Sequence, residues 1–406
     1  MTTALCSCYY TFSQSNNLTG SPYSLFGLGV ESNSNTGRNS ALGRTGISLD
    51  ANRSINLFNP ASFTSIEDKR FLFDFGLYTE IQSITSDDGN ESRFATNFSN
   101  MAFAFSIDKK SGVGLSLTPA TSVGYALIGI ESNIEGSNET FESNVTGSGG
   151  LNDIRVDYAR KLNDKLSLGG RFSYLFGTIE ETESVITGTS LLSVNEDNNY
   201  SGVQFGLGAQ YLFKDKYSFG ATIDFPTQLG ASKDISVDKI SNFAFTEVEE
   251  SLNESIDDFY LPLRLGFGFS TTFKGVLIAA DYKRNFWSDT NQSDEIGDYV
   301  DQNIFSVGAE YIPNANSFKY WNRVNYRFGF NYNSGNLRVD GITIDNYNAS
   351  IGFGFPLNSR NTSFINLSYA FGTRGTTDNI LVEENFNTIN LNISLSDLWF
   401  IQRKYN

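Results

Sequence analysis

The chain has 406 residues, 39% of them hydrophobic, with 35 Phe, 20 Tyr and 37 Gly against only 7 Pro and no His. A formal net charge of −16 argues against a nucleic-acid partner, because phosphates call for clustered Lys and Arg, and the lack of His removes the commonest metal ligand and the usual acid–base side chain. An aromatic content of 14% does not suit a disordered chain, and no run approaches the ~20 apolar residues of a spanning helix, so a membrane role requires a closed β-barrel.

Residues 1–15, MTTALCSCYYTFSQS, read as the remnant of a secretion signal. No Lys or Arg precedes Arg38, so the basic opening of such a signal is missing and the numbering is compatible with an internal Met. Leu5-Cys6-Ser7-Cys8 faintly resembles a lipobox, while Thr11-Phe12-Ser13-Gln14 offers an ordinary cleavage point. Cys6 and Cys8 are the chain's two cysteines, so removing this segment removes any disulfide question.

Residues 16–68 form the next unit. The apolar patch Ser21 to Gly29, SPYSLFGLG, sits in polar surroundings. Arg38 to Phe63 follows with small residues at Ala41, Gly43, Gly46 and Ala51, with Asp50 among them, and then Asn59-Pro60-Ala61. Small residues let backbone lie close to backbone, and Pro60 denies a ladder hydrogen bond. A compact irregular segment ahead of a barrel reads as a lumenal plug; a periplasmic linker is the alternative.

From Lys69 to the C-terminus the pattern is strand after strand with period two. Phe71, Phe73, Phe75 and Leu77 alternate with Leu72, Asp74, Gly76 and Tyr78, and Ile389, Leu391, Ile393 and Leu395 alternate with Asn390, Asn392, Ser394 and Ser396. Trp399 and Phe400 follow as an interfacial aromatic pair. We expect fourteen strands at 69–83, 94–107, 111–130, 150–162, 165–178, 200–213, 216–226, 259–273, 275–287, 302–312, 322–333, 346–356, 362–373 and 387–401. The fold class is therefore all-β, a 14-stranded antiparallel transmembrane barrel over 69–406 with an N-terminal plug.

Connections after even-numbered strands are short and carry Lys109, Lys110, Lys214, Lys216 and Lys274. Those after odd-numbered strands are long and acidic, as in 178–199, 227–258 and 287–301. Short turns are expected to be periplasmic and the acidic loops extracellular. The acids read as a solvated rim; divalent-cation sites between loops or a docking surface for a basic partner are the sharper alternatives.

Strand parity points Asp74, Arg155, Asp157, Arg171, Arg264, Asp281, Lys283, Glu310 and Arg327 into the lumen. Mutual pairing and plug anchoring is one reading of them. A polar track, or an Arg anchor for an amphipathic carboxylate, is the other, with Arg155, Asp157, Arg171, Arg264, Asp281 and Arg327 as lumen-lining ligand candidates. No nucleophile–base set, phosphate loop or metal motif occurs, so no catalytic residue, metal or cofactor is assigned and the protein is not read as an enzyme.

The layout of fourteen strands behind a segment carrying Ala41, Gly43, Gly46, Asp50, Ala51 and Asn59-Pro60-Ala61 resembles the FadL family of outer-membrane channels. The opening SPYSLFGLG and the end DLWFIQRKYN are similar to Bacteroidetes-type members. The resemblance implies passive uptake of hydrophobic or amphipathic small molecules across the outer membrane of a Gram-negative bacterium, with sideways exit into the lipid. Pro119, which interrupts an otherwise alternating strand, is the matching candidate for a kink that opens the wall; a harmless bulge at the rim is its alternative. The expected partners are outer-membrane lipids, an unidentified hydrophobic small molecule, and an outer-membrane or periplasmic protein, but no nucleic acid. The rival function is a non-conducting accessory barrel that scaffolds an outer-membrane secretion or assembly complex.

Overall fold

In a barrel spanning lipid, the apolar face of each strand must point outward. The last strand shows this: Leu391, Ile393 and Leu395 are 48%, 39% and 42% exposed, while Asn390, Asn392 and Ser394 are buried. In the first strand, Asp74 is buried among Asn100, Asn392 and Ser394, which all donate to its carboxylate. The wall is thus oily outside and polar within.

The structure is a computed structural model that describes residues 18–32, 34–86, 89–133, 140–187, 190–241, 244–294, 296–358 and 362–398. Fourteen staves form the wall. They are β1 Arg70–Ser86, β2 Gly89–Asp108, β3 in two pieces (Ser111–Pro119 and Thr121–Asn133), β4 Thr140–Lys161, β5 Leu166–Thr187 and β6 Ser190–Phe213. Then come β7 (Tyr217–Asp224 and Thr227–Ser241), β8 (Ala244–Ser255, Phe259–Leu261 and Arg264–Phe273), β9 Val276–Asn285 and β10 Gln302–Tyr311. The last four are β11 Asn325–Asn333, β12 Asn346–Pro356, β13 Phe364–Arg374 and β14 Glu383–Leu398. Each pairs antiparallel with its sequence neighbour, and β14 closes on β1 from Arg70↔Leu398 to Thr85↔Glu383. The short turns are tight: Lys214 and Asp215, both in the left-handed region, join β6 to β7.

On the opposite rim the staves run further than the alternation predicts. Stretches read as the polar loops 178–199 and 227–258 are largely strand, laddered as Glu180↔Asp197 and Lys239↔Leu192. Beyond the lipid both faces of a strand can be polar, so the greasy/wet alternation fades while backbone pairing continues. The outer parts of β3, β4, β5, β6, β7 and β8 pair in that order as one continuous sheet. The secretion-signal reading for 1–15, and Trp399 and Phe400, lie outside the described residues.

Between β2 and β3 the wall ladder breaks. β2 and the first piece of β3 pair from Asp108↔Ser111 up to Met101↔Leu117 and no further. Beyond Pro119, β3 stays on β4, through Ala120 N–H to the Leu151 carbonyl at 2.7 Å and then Val123↔Gly149. Gly149 and Gly150 bend β4 with it; both have positive φ, and a Cβ on Gly150 would sit 2.4 Å from the Thr121 carbonyl oxygen. The other edge of β3 is taken by the short Val30–Glu31 strand, paired to Ser122 and Thr121. Residues 89–100 of β2 therefore ladder only with β1.

Candidate functional site

Residues 34–66 lie against the lumen-facing side chains, and glycine makes the room. Gly43 (φ +63) faces Gly329 of β11: a Cβ on Gly329 would lie 1.9 Å from the Gly43 nitrogen. Gly43 N–H donates to Ser350 Oγ at 3.2 Å, and that hydroxyl donates to the Ala41 carbonyl. Phe63 packs over Gly112 and Gly114, and Asn59-Pro60-Ala61 lies over Gly169 and Gly208. Asn59 Nδ2 donates to the carbonyls of Ile47 (2.8 Å) and Ala209 (3.0 Å), while its Oδ1 accepts from Ala61 N–H and starts the Pro60–Ser65 turn of 3-10 helix.

Charges supply the other anchors. Asp281 Oδ2 accepts from Gly46 N–H at 2.7 Å and from Ile47 N–H at 3.0 Å. Glu310 lies between Arg327 (2.7 Å) and Arg38 (3.1 Å), all three nearly buried, and Arg38 reaches on to the exposed Asp50 at 3.4 Å. Ala51 N–H donates to Ser65 Oγ. Arg171 binds Asp157 at 2.9 Å and donates to the Leu57 carbonyl at 2.6 Å. Further out, Glu384 holds Arg374 at 3.2 Å and accepts from Ser21 Oγ.

Two contiguous cavities remain between this segment and the long-strand rim. The inner one, about 140 Å³, is walled by Arg44, Arg155, Arg171, Arg264 and Lys283 against Glu31 and Asp224. The outer one, about 200 Å³, shares Arg155, Arg264, Arg44 and Glu31 as its floor and rises between Leu28, Phe259, Leu261, Trp287 and Tyr299. Its side reaches Ala120 and Thr121, at the wall break beside Pro119. A third cavity, about 300 Å³, lies towards the short-turn rim around Asp50, Glu310 and Arg327.

The parity-derived residues thus divide. Asp157, Arg171, Asp281 and Arg327 are engaged with one another or with the 34–66 segment, and Arg155 pairs with Asp153. Arg264 lines both cavities, and its buried Nε has no hydrogen-bond partner. Lys283 lies over the Phe58 ring at 4.1 Å. The aromatic cluster of Phe259, Trp287 and Tyr299 escaped the sequence reading, because its members come from three places, the start of the strand read at 259–273, the end of that read at 275–287 and the acidic loop 287–301, and no local pattern joins them. The same rim, among the described residues, holds no group of three or more His, Cys, Asp or Glu arranged to hold a metal ion.

The closed antiparallel barrel of fourteen staves is a fold shared with FadL- and TodX-type outer-membrane channels. The Pseudomonas putida toluene transporter TodX aligns with a TM-score of 0.63 at 16% identity, over 90% of this chain and 98% of that one. A Pseudomonas aeruginosa FadL homologue gives 0.60 at 12% identity, over 90% and 98%. The Ralstonia pickettii toluene transporter TbuX gives 0.56 at 16%, over 88% and 96%. At these identities the likeness is one of fold. The chain belongs to the BamG family, whose model matches residues 1–406. No curated protein matches it in sequence.

Proposed function

We propose that this chain is an outer-membrane barrel that admits small hydrophobic or amphipathic molecules from the long-strand rim, taken as extracellular, and releases them sideways into the bilayer past Pro119. The observation that carries this reading is the wall break between β2 and β3, which opens beside the outer cavity. Residues 34–66 act as the plug, bar the straight route and leave the side route. An apolar cavity of about 150 Å³ is enough to hold benzene, and the outer cavity is of that scale, at about 200 Å³. Arg264 and Arg155 on its floor suit an anionic end. Two structural neighbours are described as toluene transporters, which agrees with an apolar cargo.

The test is uptake of toluene and of dodecanoate by cells producing the chain or its Arg264→Ala form. Uptake of both probes by the parent, with only dodecanoate uptake reduced in the variant, supports the reading. No uptake of either probe above cells lacking the protein overturns it.

A second reading is a non-conducting accessory barrel in an outer-membrane assembly or secretion complex. It is favoured by the buried Arg38–Glu310–Arg327 lock, which fixes the plug on the short-turn side, and by the turn before β11. That turn shows Phe318 and Trp321 to solvent, 107% and 66% exposed. Extraction in gentle detergent at native expression, followed by mass spectrometry, separates the two. Co-purifying lipid or small molecule supports the channel, and a stoichiometric protein partner without lipid supports the scaffold.

A further inference from the structure

We propose that the free edge of the outer piece of β8, Ala244–Ser255, is a strand-addition site for an extended, basic segment of another protein. The argument starts from the backbone. This piece ladders with β7 from Ser241↔Ala244 to Ser232↔Ser255 and, among the described residues, with nothing else. The stave that should flank it, β9, ends at Asn285, where the chain turns into the short helix Trp287–Thr290. Twelve residues of strand are left with one open side, an edge of roughly 40 Å at the usual rise per residue. Such an edge presents unpaired N–H and C=O groups ready to template another strand.

Natural edges are blunted by being short, by Pro, by bulges or by charge, above all Lys. This one is long and has no Lys or Pro, and its charges, all Glu, turn away a like edge while leaving it open to a basic one. It shows large apolar side chains instead: Phe245, Val248 and Leu252 are 66%, 56% and 69% exposed. Two bulges mark it, one at Val248, between Val237↔Glu249 and Asp238↔Glu247, and one at Leu252–Asn253. Asn253, in the left-handed region, is held there by its N–H to Asp234 at 2.6 Å. The bulges divide the edge into short runs, which fixes the register of an incoming strand.

Charge then selects the occupant. Glu247, Glu249, Glu250 and Glu254 line the strand, and no Lys or Arg lies between Lys239 and Arg264. A second copy of this edge would set glutamates against glutamates, which is unfavourable across a ladder. The bulges spread the acids over both faces, Glu247 and Glu250 on one and Glu249 and Glu254 on the other. A partner strand that carries Lys or Arg among apolar residues on both faces therefore meets the acids as well as the exposed Phe245, Val248 and Leu252. Main-chain bonds would then give affinity and the side chains specificity. None of this depends on what the lumen carries.

The test uses the full chain in detergent and a synthetic Lys–Val peptide of the same twelve-residue length, with Lys-Lys-Val-Val repeats that put both residues on both faces. Binding is read by fluorescence anisotropy and by hydrogen exchange. The peptide should bind, slow exchange in 244–255, and bind less as salt rises. A version N-methylated at alternate backbone positions should not bind, because it cannot ladder. The E247K/E249K/E250K/E254K variant should weaken the Lys–Val peptide at least about tenfold and accept a Glu–Val peptide instead. The shift of its electrophoretic band on heating should be unchanged, which shows that the barrel still folds. Equal binding by the N-methylated peptide, or indifference to the charge reversal, overturns the proposal. So does a dimer of the parent chain in sedimentation that the variant abolishes.

Discussion

At the scale of single residues, burial decides which charges hold the fold together. Glu310 is the one carboxylate shared by Arg38 and Arg327, and all three groups are nearly out of water. Removing one partner of such a set leaves uncompensated buried charge, at a cost of about 3–5 kcal/mol. Glu310→Ala should therefore free the 34–66 segment around Arg38 and raise trypsin cleavage there in the folded protein. A cleavage rate equal to the parent's would refute the lock. Tyr23 gives a pH-dependent counterpart at the other end of the segment. Its hydroxyl donates to the Val382 carbonyl at 2.6 Å, and burial pushes its pKa up to about 12. An unfolded tyrosine titrates near about 10. The neutral phenol's contribution is thus complete below pH ~10 and is lost as pH rises through ~12. Docking of residues 18–32, followed by hydrogen exchange, should weaken across that window in the parent. It should weaken less in Tyr23→Phe, which has no proton to lose.

At the scale of elements, the sequence carried most information where lipid imposed a rule. In β1, Phe71 to Tyr78 had to alternate, and parity places Asp74 inside, where it is buried against Ser394. Above the lipid no such rule acts, so Glu180 to Thr187 reads as loop although it is strand laddered to β6. The break at Pro119 was legible as an interruption, but its form was not. The proline keeps its place opposite Asn152 of β4, and the ladder to β2 is lost because β3 turns to pair with Val30–Glu31. That partner lies ninety positions away in sequence, and no local pattern announces it. If this description of the break is right, amides of β2 facing β3 over residues 90–100 should exchange faster than those of β1 at the same height. Uniform protection across both staves would mean that the wall is sealed there. For Arg171 and Asp281 parity gave the direction, and anchoring of the N-terminal segment was one of the two readings, but the sequence does not say that they end on the Leu57 carbonyl and on the N–H groups of Gly46 and Ile47.

At the scale of the whole molecule, the wall and the 34–66 segment satisfy each other. The lumen presents groups that the wall alone leaves wanting: the Asp281 carboxylate, Glu310 between its two arginines, and the glycine floor under Phe63. The segment in turn has little regular structure of its own, and its backbone donors at Gly43, Gly46 and Ile47 are met by wall side chains. A buried donor or acceptor left without its partner costs about 1–3 kcal/mol, and several would be stranded at once. The barrel should therefore tolerate loss of this segment poorly. A chain beginning at residue 67 should lose its heat-dependent shift on gels at a distinctly lower temperature than the full chain, or fail to reach the shifted form at all. Asn59→Ala, which strips the bonds to the Ile47 and Ala209 carbonyls while leaving every wall residue in place, should fall between the two. Equal shift temperatures for all three chains would mean that water replaces the segment at no net cost. The 34–66 segment would then be a passenger in the lumen and not part of what holds the cylinder together.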